Sequence, residues 1–182
     1  MQHILFLLVL LFCTGCGGAV PGNVESPDTV VRHYIENDLK GYRLSSRTWR
    51  QKMYPFYYDR ETDEPGWDTI TVVKGYEVVN TAVAGNDATV AVHYDILCDI
   101  GTQVSVRSKT NARVVYSLRM RNGAWKLNGY KTCPLVSQDT AIEHVAGLCK
   151  KSENNTAAKK RNLKLLRDLQ QLIKETKEKD EK

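Results

Sequence analysis

The chain has 182 residues, 26% of them charged, and a formal net charge of +5. A chain of this length suits one domain with a single core rather than several domains. Residues 16–149 contain 15 basic and 15 acidic residues, whereas residues 150–182 contain 11 and 6. A neutral body with basic residues gathered in one terminal segment argues against a nucleic-acid-binding protein.

The chain opens with an apolar run at residues 4–12, followed at once by Cys-Thr-Gly-Cys at residues 13–16. Nine apolar residues are too few to cross a bilayer as a helix, which needs about 20, so the run is typical of an export signal. The segment resembles the lipobox of bacterial lipoproteins. That resemblance implies a signal peptide at residues 1–15 and a lipid anchor on Cys16. Because Gly17 rather than Asp follows the cysteine, it also implies that the protein is attached to the outer membrane and faces the periplasm. An ordinary cleaved secretory signal and an uncleaved anchor are the alternatives.

Three cysteines remain once the leader is removed and Cys16 carries lipid: Cys98, Cys133 and Cys149. In an oxidising periplasm we expect one disulfide and one buried free thiol. The sequence allows two disulfides, Cys133–Cys149 or Cys98–Cys133, and does not choose between them. None of the three has the paired spacing of a metal site, and the histidines are scattered. We therefore predict no metal and no cofactor.

Two helical segments follow a short linker at residues 16–25. Ser26 has the properties of an N-cap, and Pro27 suits the first helical position. Apolar residues then recur at three- and four-residue spacing as far as Tyr42, which predicts an amphipathic helix that ends near Gly41. A second, weaker helical pattern runs over residues 45–54 and ends at Pro55.

The middle of the chain changes to alternating β-branched residues, which predicts strands at residues 69–84, 88–98, 112–121 and 124–127. Gly-Asn-Asp at residues 85–87 and Asn-Gly at residues 122–123 are typical of hairpin turns. We expect a polar loop from residue 99 to about residue 110. On the second strand one face is predicted to carry Val90, Val92, Tyr94, Ile96 and Cys98.

Residues 133–182 are predicted to form a helical tail. Ser137 begins a short helix, and the final helix carries an apolar stripe of Leu165, Leu166, Leu169, Leu172 and Ile173. This stripe packs back on the domain, pairs with a second copy or a partner, or lies on a membrane surface. The basic residues around it form either a solvated face or a contact with anionic lipid headgroups or another envelope polyanion.

Together these elements form an α+β arrangement that resembles the nuclear-transport-factor-2-like superfamily, which includes ketosteroid isomerases and polyketide cyclases. The resemblance rests on the helix opening at residues 26–28, the hairpin at residues 85–90 and the ending at residues 120–127. It implies a domain at residues 26–132 in which N-terminal helices pack in a curved antiparallel sheet of about four strands. A cystatin-like or other helix-plus-sheet domain is the alternative.

In that superfamily a pocket opens between the sheet and the first helix. The residues proposed to line it here are Tyr34, Trp49, Tyr54, Tyr76, His93, Asp95 and Tyr116. His93 and Asp95 are the candidates for an acid and a base, although Tyr94 between them carries the apolar face, which would turn both outward. No residue is assigned a catalytic role.

The export signal and the resemblance to this superfamily are compatible with two functions. The first is a lipid-anchored envelope protein, not an enzyme, that binds a small apolar ligand or an envelope protein. The second is an isomerase- or hydrolase-like enzyme that uses an acid or base in the pocket. The domain is also a candidate for homodimerisation, as is common among relatives of this fold.

Overall fold

A computed structural model of the chain describes residues 24–58, 67–106, 110–129 and 133–181. The export signal, Cys16 and all but the last two residues of the predicted linker lie outside these ranges. Across the described ranges, none of the helices combines the length and the apolar character needed to cross a membrane.

The first helix, α1 (Pro27–Leu39), begins as the sequence predicts. The Ser26 hydroxyl accepts a hydrogen bond from the Thr29 backbone N–H at 3.4 Å, which satisfies one of the free N–H groups of the first turn. The chain turns at Gly41, where φ is +74° and an added Cβ would lie 2.8 Å from the methyl group of Thr140. Glycine therefore provides both the backbone conformation and the close approach.

The second helical segment is also present, although it changes its hydrogen bonding along its length. It consists of a short α-turn, α2 (Ser46–Thr48), a π-turn (Trp49–Met53) and a 3₁₀ turn (Tyr54–Phe56). Trp49 and Met53 are buried against the core. Pro55 lies inside the 3₁₀ turn rather than after the last helical residue.

In the part of the chain that the structure describes, the remaining elements are six strands and two helices. They are β1 (Ile70–Ala84), β2 (Asp87–Ile100), β3 (Val104–Ser105), β4 (Asn111–Arg121), β5 (Ala124–Leu127), β6 (Leu135–Ser137), α3 (Gln138–Lys151) and α4 (Thr156–Asp180). The strand order is β5-β4-β2-β1-β6, and β3 pairs separately with β2. The α+β class is thus confirmed.

The sheet differs from the predicted one in two strands. β3 lies within the predicted loop at residues 99–110, and β6 lies within the predicted tail, where it pairs parallel with β1. The sheet is therefore mixed and has more than the expected four strands. Strands of two and three residues show too little alternation to be recognised in a sequence.

Irregular pairing between β1 and β2 bends the sheet, which curls as a half-barrel. The register leaves Lys74 and Val79 on β1, and Leu97 on β2, as extra residues. Bulges of this kind kink a strand and increase its twist. Beyond Leu97 the faces of β2 exchange, so Cys98 packs in a different core from Ile96, contrary to the alternation we expected.

Two cores lie on opposite faces of this sheet. In the first, α1 and the second helical segment pack against the inner face, whose side chains include Val90, Val92 and Tyr94. In the second, α3 and α4 pack against the other face. The apolar stripe of α4 is buried there through Leu165 and Leu169 among others. Of the three positions considered for the last helix, the structure shows the one packed back on the sheet.

Candidate functional site

Four tyrosines meet at the inner face of the curled sheet, and we call them the tyrosine cluster: Tyr34, Tyr57, Tyr94 and Tyr116. The hydroxyls of Tyr34 and Tyr57 are 2.8 Å apart, and those of Tyr94 and Tyr116 are 2.6 Å apart. The ring of Tyr34 meets those of Tyr57 and Tyr116 edge to face, each with centroids 5.8 Å apart. Such packing stabilises aromatic pairs beyond simple burial.

A cavity of about 140 Å³ lies beside this cluster, and we call it the tyrosine cavity. A cavity of about 150 Å³ is large enough to hold benzene, so the tyrosine cavity fits one ring or a short chain. Its lining combines aliphatic side chains with hydroxyl and amide groups. The residues are Tyr34, Tyr57, Val114, Val115, Tyr116, Ser117, Leu127, Asn128 and Gly129.

A buried ion pair lies behind Tyr34. Arg43 Nη1 donates to Asp38 Oδ2 at 3.2 Å and to the hydroxyl oxygen of Tyr34 at 3.3 Å, and the two charged side chains are at most 1% exposed. The backbone N–H of Leu135, on β6, donates to the same Asp38 oxygen at 3.2 Å. The guanidinium also lies over the Trp67 ring at 5.1 Å. This network joins α1, β6 and the tyrosine cluster into one polar assembly.

The hydroxyls of Tyr34, Tyr94 and Tyr116 remain protonated. Burial is the main cause that raises the pKa of Tyr34, Tyr94 and Tyr116 above the ordinary range, and the negative charge of Asp38 adds to the effect. A protonated hydroxyl can donate and accept hydrogen bonds but is not a base at physiological pH. The cluster is therefore suited to recognising a hydrogen-bonding group rather than to removing a proton.

The residues that the sequence proposed for the pocket are found in different places. Tyr34 and Tyr116 line the tyrosine cavity. Trp49 is buried in the first core, and Tyr54 and Tyr76 are partly buried against it. Tyr54 instead lines a separate surface depression of about 420 Å³.

His93 and Asp95 lie away from the tyrosine cavity. Both lie on the face of β2 opposite to the buried Tyr94, where His93 is exposed and Asp95 is half-buried. Asp95 forms an ion pair with Lys74 at 3.0 Å, and this contact raises the pKa of the lysine. Strand alternation separates these two residues from the inner face, as the outward alternative anticipated.

Sequence reasoning missed Tyr57 and the ion pair of Asp38 with Arg43. Asp38 occupies the position four residues after Tyr34, on the buried face of α1. A carboxylate on the apolar face of a predicted helix indicates a buried ion pair, because a buried charge needs a partner. Nothing at Tyr57 distinguished it from the other aromatic residues of its segment.

Cys98, Cys133 and Cys149 are all free thiols in the structure, so neither expected disulfide is present. Burial raises the pKa of the Cys98 thiol to about 12, which leaves it protonated and unreactive. Within the ranges that the structure describes, no three side chains of His, Cys, Asp or Glu come together as metal ligands.

Comparison with known proteins gives no assignment: the chain matches no protein-family model, no curated protein and no solved structure.

Proposed function

We propose that this protein is a lipid-anchored envelope protein that binds a small apolar ligand bearing one hydrogen-bonding group. The ligand would occupy the tyrosine cavity, in the manner of nuclear-transport-factor-2-like domains. The observation that carries the proposal is a ring-sized cavity lined by three tyrosines and placed beside a buried polar network. Pockets with apolar walls and a few fixed polar groups are typical of small-molecule sites.

The composition of the cavity favours binding over acid–base catalysis. Among the residues that the structure describes, the lining includes no carboxylate, imidazole, amine or thiol, and these are the groups that usually transfer protons in enzymes. Tyr34 and Tyr116 have a raised pKa. His93 and Asp95 are turned away from the cavity, so the acid–base pair that the sequence suggested is not part of its lining.

The hydroxyl of Tyr57 should contribute to binding of a phenol-sized ligand. We expect Tyr57→Phe to raise the dissociation constant of phenol by about two- to tenfold, because one buried hydrogen bond is worth about 0.5–1.5 kcal/mol. The affinity for benzene, which cannot form that bond, should change little. Isothermal titration calorimetry of both ligands against both proteins would measure the coupling between the ligand hydroxyl and the tyrosine hydroxyl.

Two further variants test whether the tyrosine cavity is the site. Val114→Phe puts a larger side chain on the cavity wall and should abolish phenol binding, whereas Tyr76→Phe, which removes a hydroxyl away from the cavity, should leave it unchanged. If phenol binds equally well to Val114→Phe and to the wild type, the cavity is not the binding site.

Acylation of Cys16 can be tested separately from ligand binding. Metabolic labelling with a palmitate analogue should mark the wild-type protein and Cys13→Ser but not Cys16→Ser. Two or more acyl chains give lasting membrane attachment, since each buried methylene contributes about 0.8 kcal/mol. Mass spectrometry of the membrane-purified protein should show cleavage after Gly15. Label retained by Cys16→Ser, or residues 1–15 present in the finished chain, would contradict the anchor.

A further inference from the structure

Charge is segregated along the C-terminal helices. The segment from residue 150 to residue 167 contains one acid, Glu153, whereas residues 168–181 contain five acids and three lysines. We call the basic residues of the first segment the basic end. They are Lys150, Lys151, Lys159, Lys160, Arg161, Lys164 and Arg167.

The basic end faces solvent. All seven of its side chains are exposed, because α4 buries its apolar stripe and Asn162 against the rest of the protein. The Asn162 amide donates to the Leu148 carbonyl at 3.2 Å and to the Ser152 hydroxyl at 3.0 Å, which fixes α4 against α3. Among the described residues no ion pair involves the basic end. The ion pairs of α4 use Lys174 and Asp180, in its other half.

Lys150 and Lys151 lie in the last turn of α3, where positive charge stabilises a helix, but the five basic residues on α4 do not serve its stability. The first turn of a helix favours negative charge, yet the first turn of α4 contains no acid. Lys164 lies four residues after Lys160 and three before Arg167, and like charges at these spacings destabilise a helix. The part of the basic end that lies on α4 is therefore better explained by an external partner of opposite charge.

An exposed apolar side chain lies within the same surface. Leu163 is 42% exposed and belongs to a shallow groove of about 380 Å³ that also includes Lys159, Lys160 and Arg167. Long basic side chains around an apolar residue match the boundary of a bilayer, where the charges reach the headgroups and the apolar group enters the acyl region.

We propose that the basic end binds the surface of a bilayer that contains anionic phospholipids. The positive charge selects an anionic partner, and Leu163 favours a lipid surface over a soluble polyanion, which offers no acyl region. This contact is separate from ligand binding in the tyrosine cavity and from acylation at Cys16. It orients the protein so that the end of α3 and the beginning of α4 face the bilayer.

Two triple variants of the full chain test this contact. Lys159→Glu/Lys160→Glu/Lys164→Glu changes the basic end, and Lys174→Glu/Lys177→Glu/Lys179→Glu makes the same change of charge in the other half of α4. Flotation with phosphatidylcholine vesicles, with and without 30% phosphatidylglycerol, measures the binding ratio between anionic and neutral surfaces. In this assay the wild-type sequence and both variants also carry Cys16→Ser, because lasting attachment through acyl chains would saturate binding to both kinds of vesicle. The ratio then reports the charge-dependent contact.

We expect the first variant to lower this ratio about 100-fold, since each of the three basic residues near an anionic surface contributes about 1 kcal/mol, or about a factor of five. The second variant should lower it by about threefold or less, and far-ultraviolet circular dichroism of both variants checks that α4 remains helical at the assay temperature. A ratio near one for the wild type, or an equal fall in both variants, would overturn the proposal. So would tighter binding to duplex DNA than to anionic vesicles at the same salt concentration.

Discussion

Replacing Arg43 with methionine is expected to lower the free energy of unfolding by about 3–5 kcal/mol. The variant keeps most of the side-chain volume but removes the charge that balances Asp38, which is 1% exposed. A carboxylate left in an apolar interior without its counter-ion costs far more than the ion pair itself contributes, because burial removes its hydration. The Tyr34 oxygen also loses a donor.

Urea unfolding followed by circular dichroism would measure this loss. The matched control is Arg119→Met, which removes an exposed ion pair with Asp87 at 2.9 Å. We expect its unfolding free energy to equal that of the wild type within error, because water screens exposed pairs. If both variants are equally stable, the buried network does not stabilise the fold.

A double variant separates the charge from the packing. Asp38→Asn combined with Arg43→Met leaves no buried charge and still offers an amide oxygen to the Leu135 N–H. We expect the double variant to be more stable than Arg43→Met alone, although it removes more polar groups. A double variant that is less stable than the single one would show that packing, not charge, accounts for the effect.

Local signals made most of the fold readable from the sequence. The cap at Ser26, the apolar spacing behind it and the turn at residues 85–87 each act within a few residues, and α1 and the β1–β2 hairpin lie where they predicted. β6 could not be read in this way. It has three residues and pairs parallel with β1, more than 60 residues earlier in the chain, so no local pattern reveals it.

The candidate site could be predicted from the sequence only in part, because contacts between distant segments leave no local pattern. Alternation on the strands placed Tyr94 and Tyr116 inside and turned His93 outward, as the structure shows. Which inward side chains meet depends on the curl of the sheet, set by bulges at Lys74, Val79 and Leu97. The sequence does not mark these bulges, and no local pattern places Tyr57, which follows the 3₁₀ turn, against Tyr34 of α1.

The second core makes the C-terminal helices part of one cooperative unit with the sheet, and Leu169→Ala is expected to show it. Leu169 is fully buried in the cluster that contains Val72 of β1 and Leu97 of β2. Removing its branched end should lower the free energy of unfolding by about 2–5 kcal/mol. The loss should appear as a single transition of lower midpoint, followed in parallel by far-ultraviolet circular dichroism and tryptophan fluorescence.

The two signals report different parts of the molecule, which makes the result decisive. Trp49 and Trp125 lie in the first core, whereas α4 contributes strongly to the helical signal. Leu163→Ala, on the exposed side of the same helix, is the control and should leave both signals unchanged. If Leu169→Ala melts the helical signal before the fluorescence changes, α3 and α4 fold separately from the half-barrel. Coincident transitions require that the second core couples them, because a helix that only rested on the sheet would detach first.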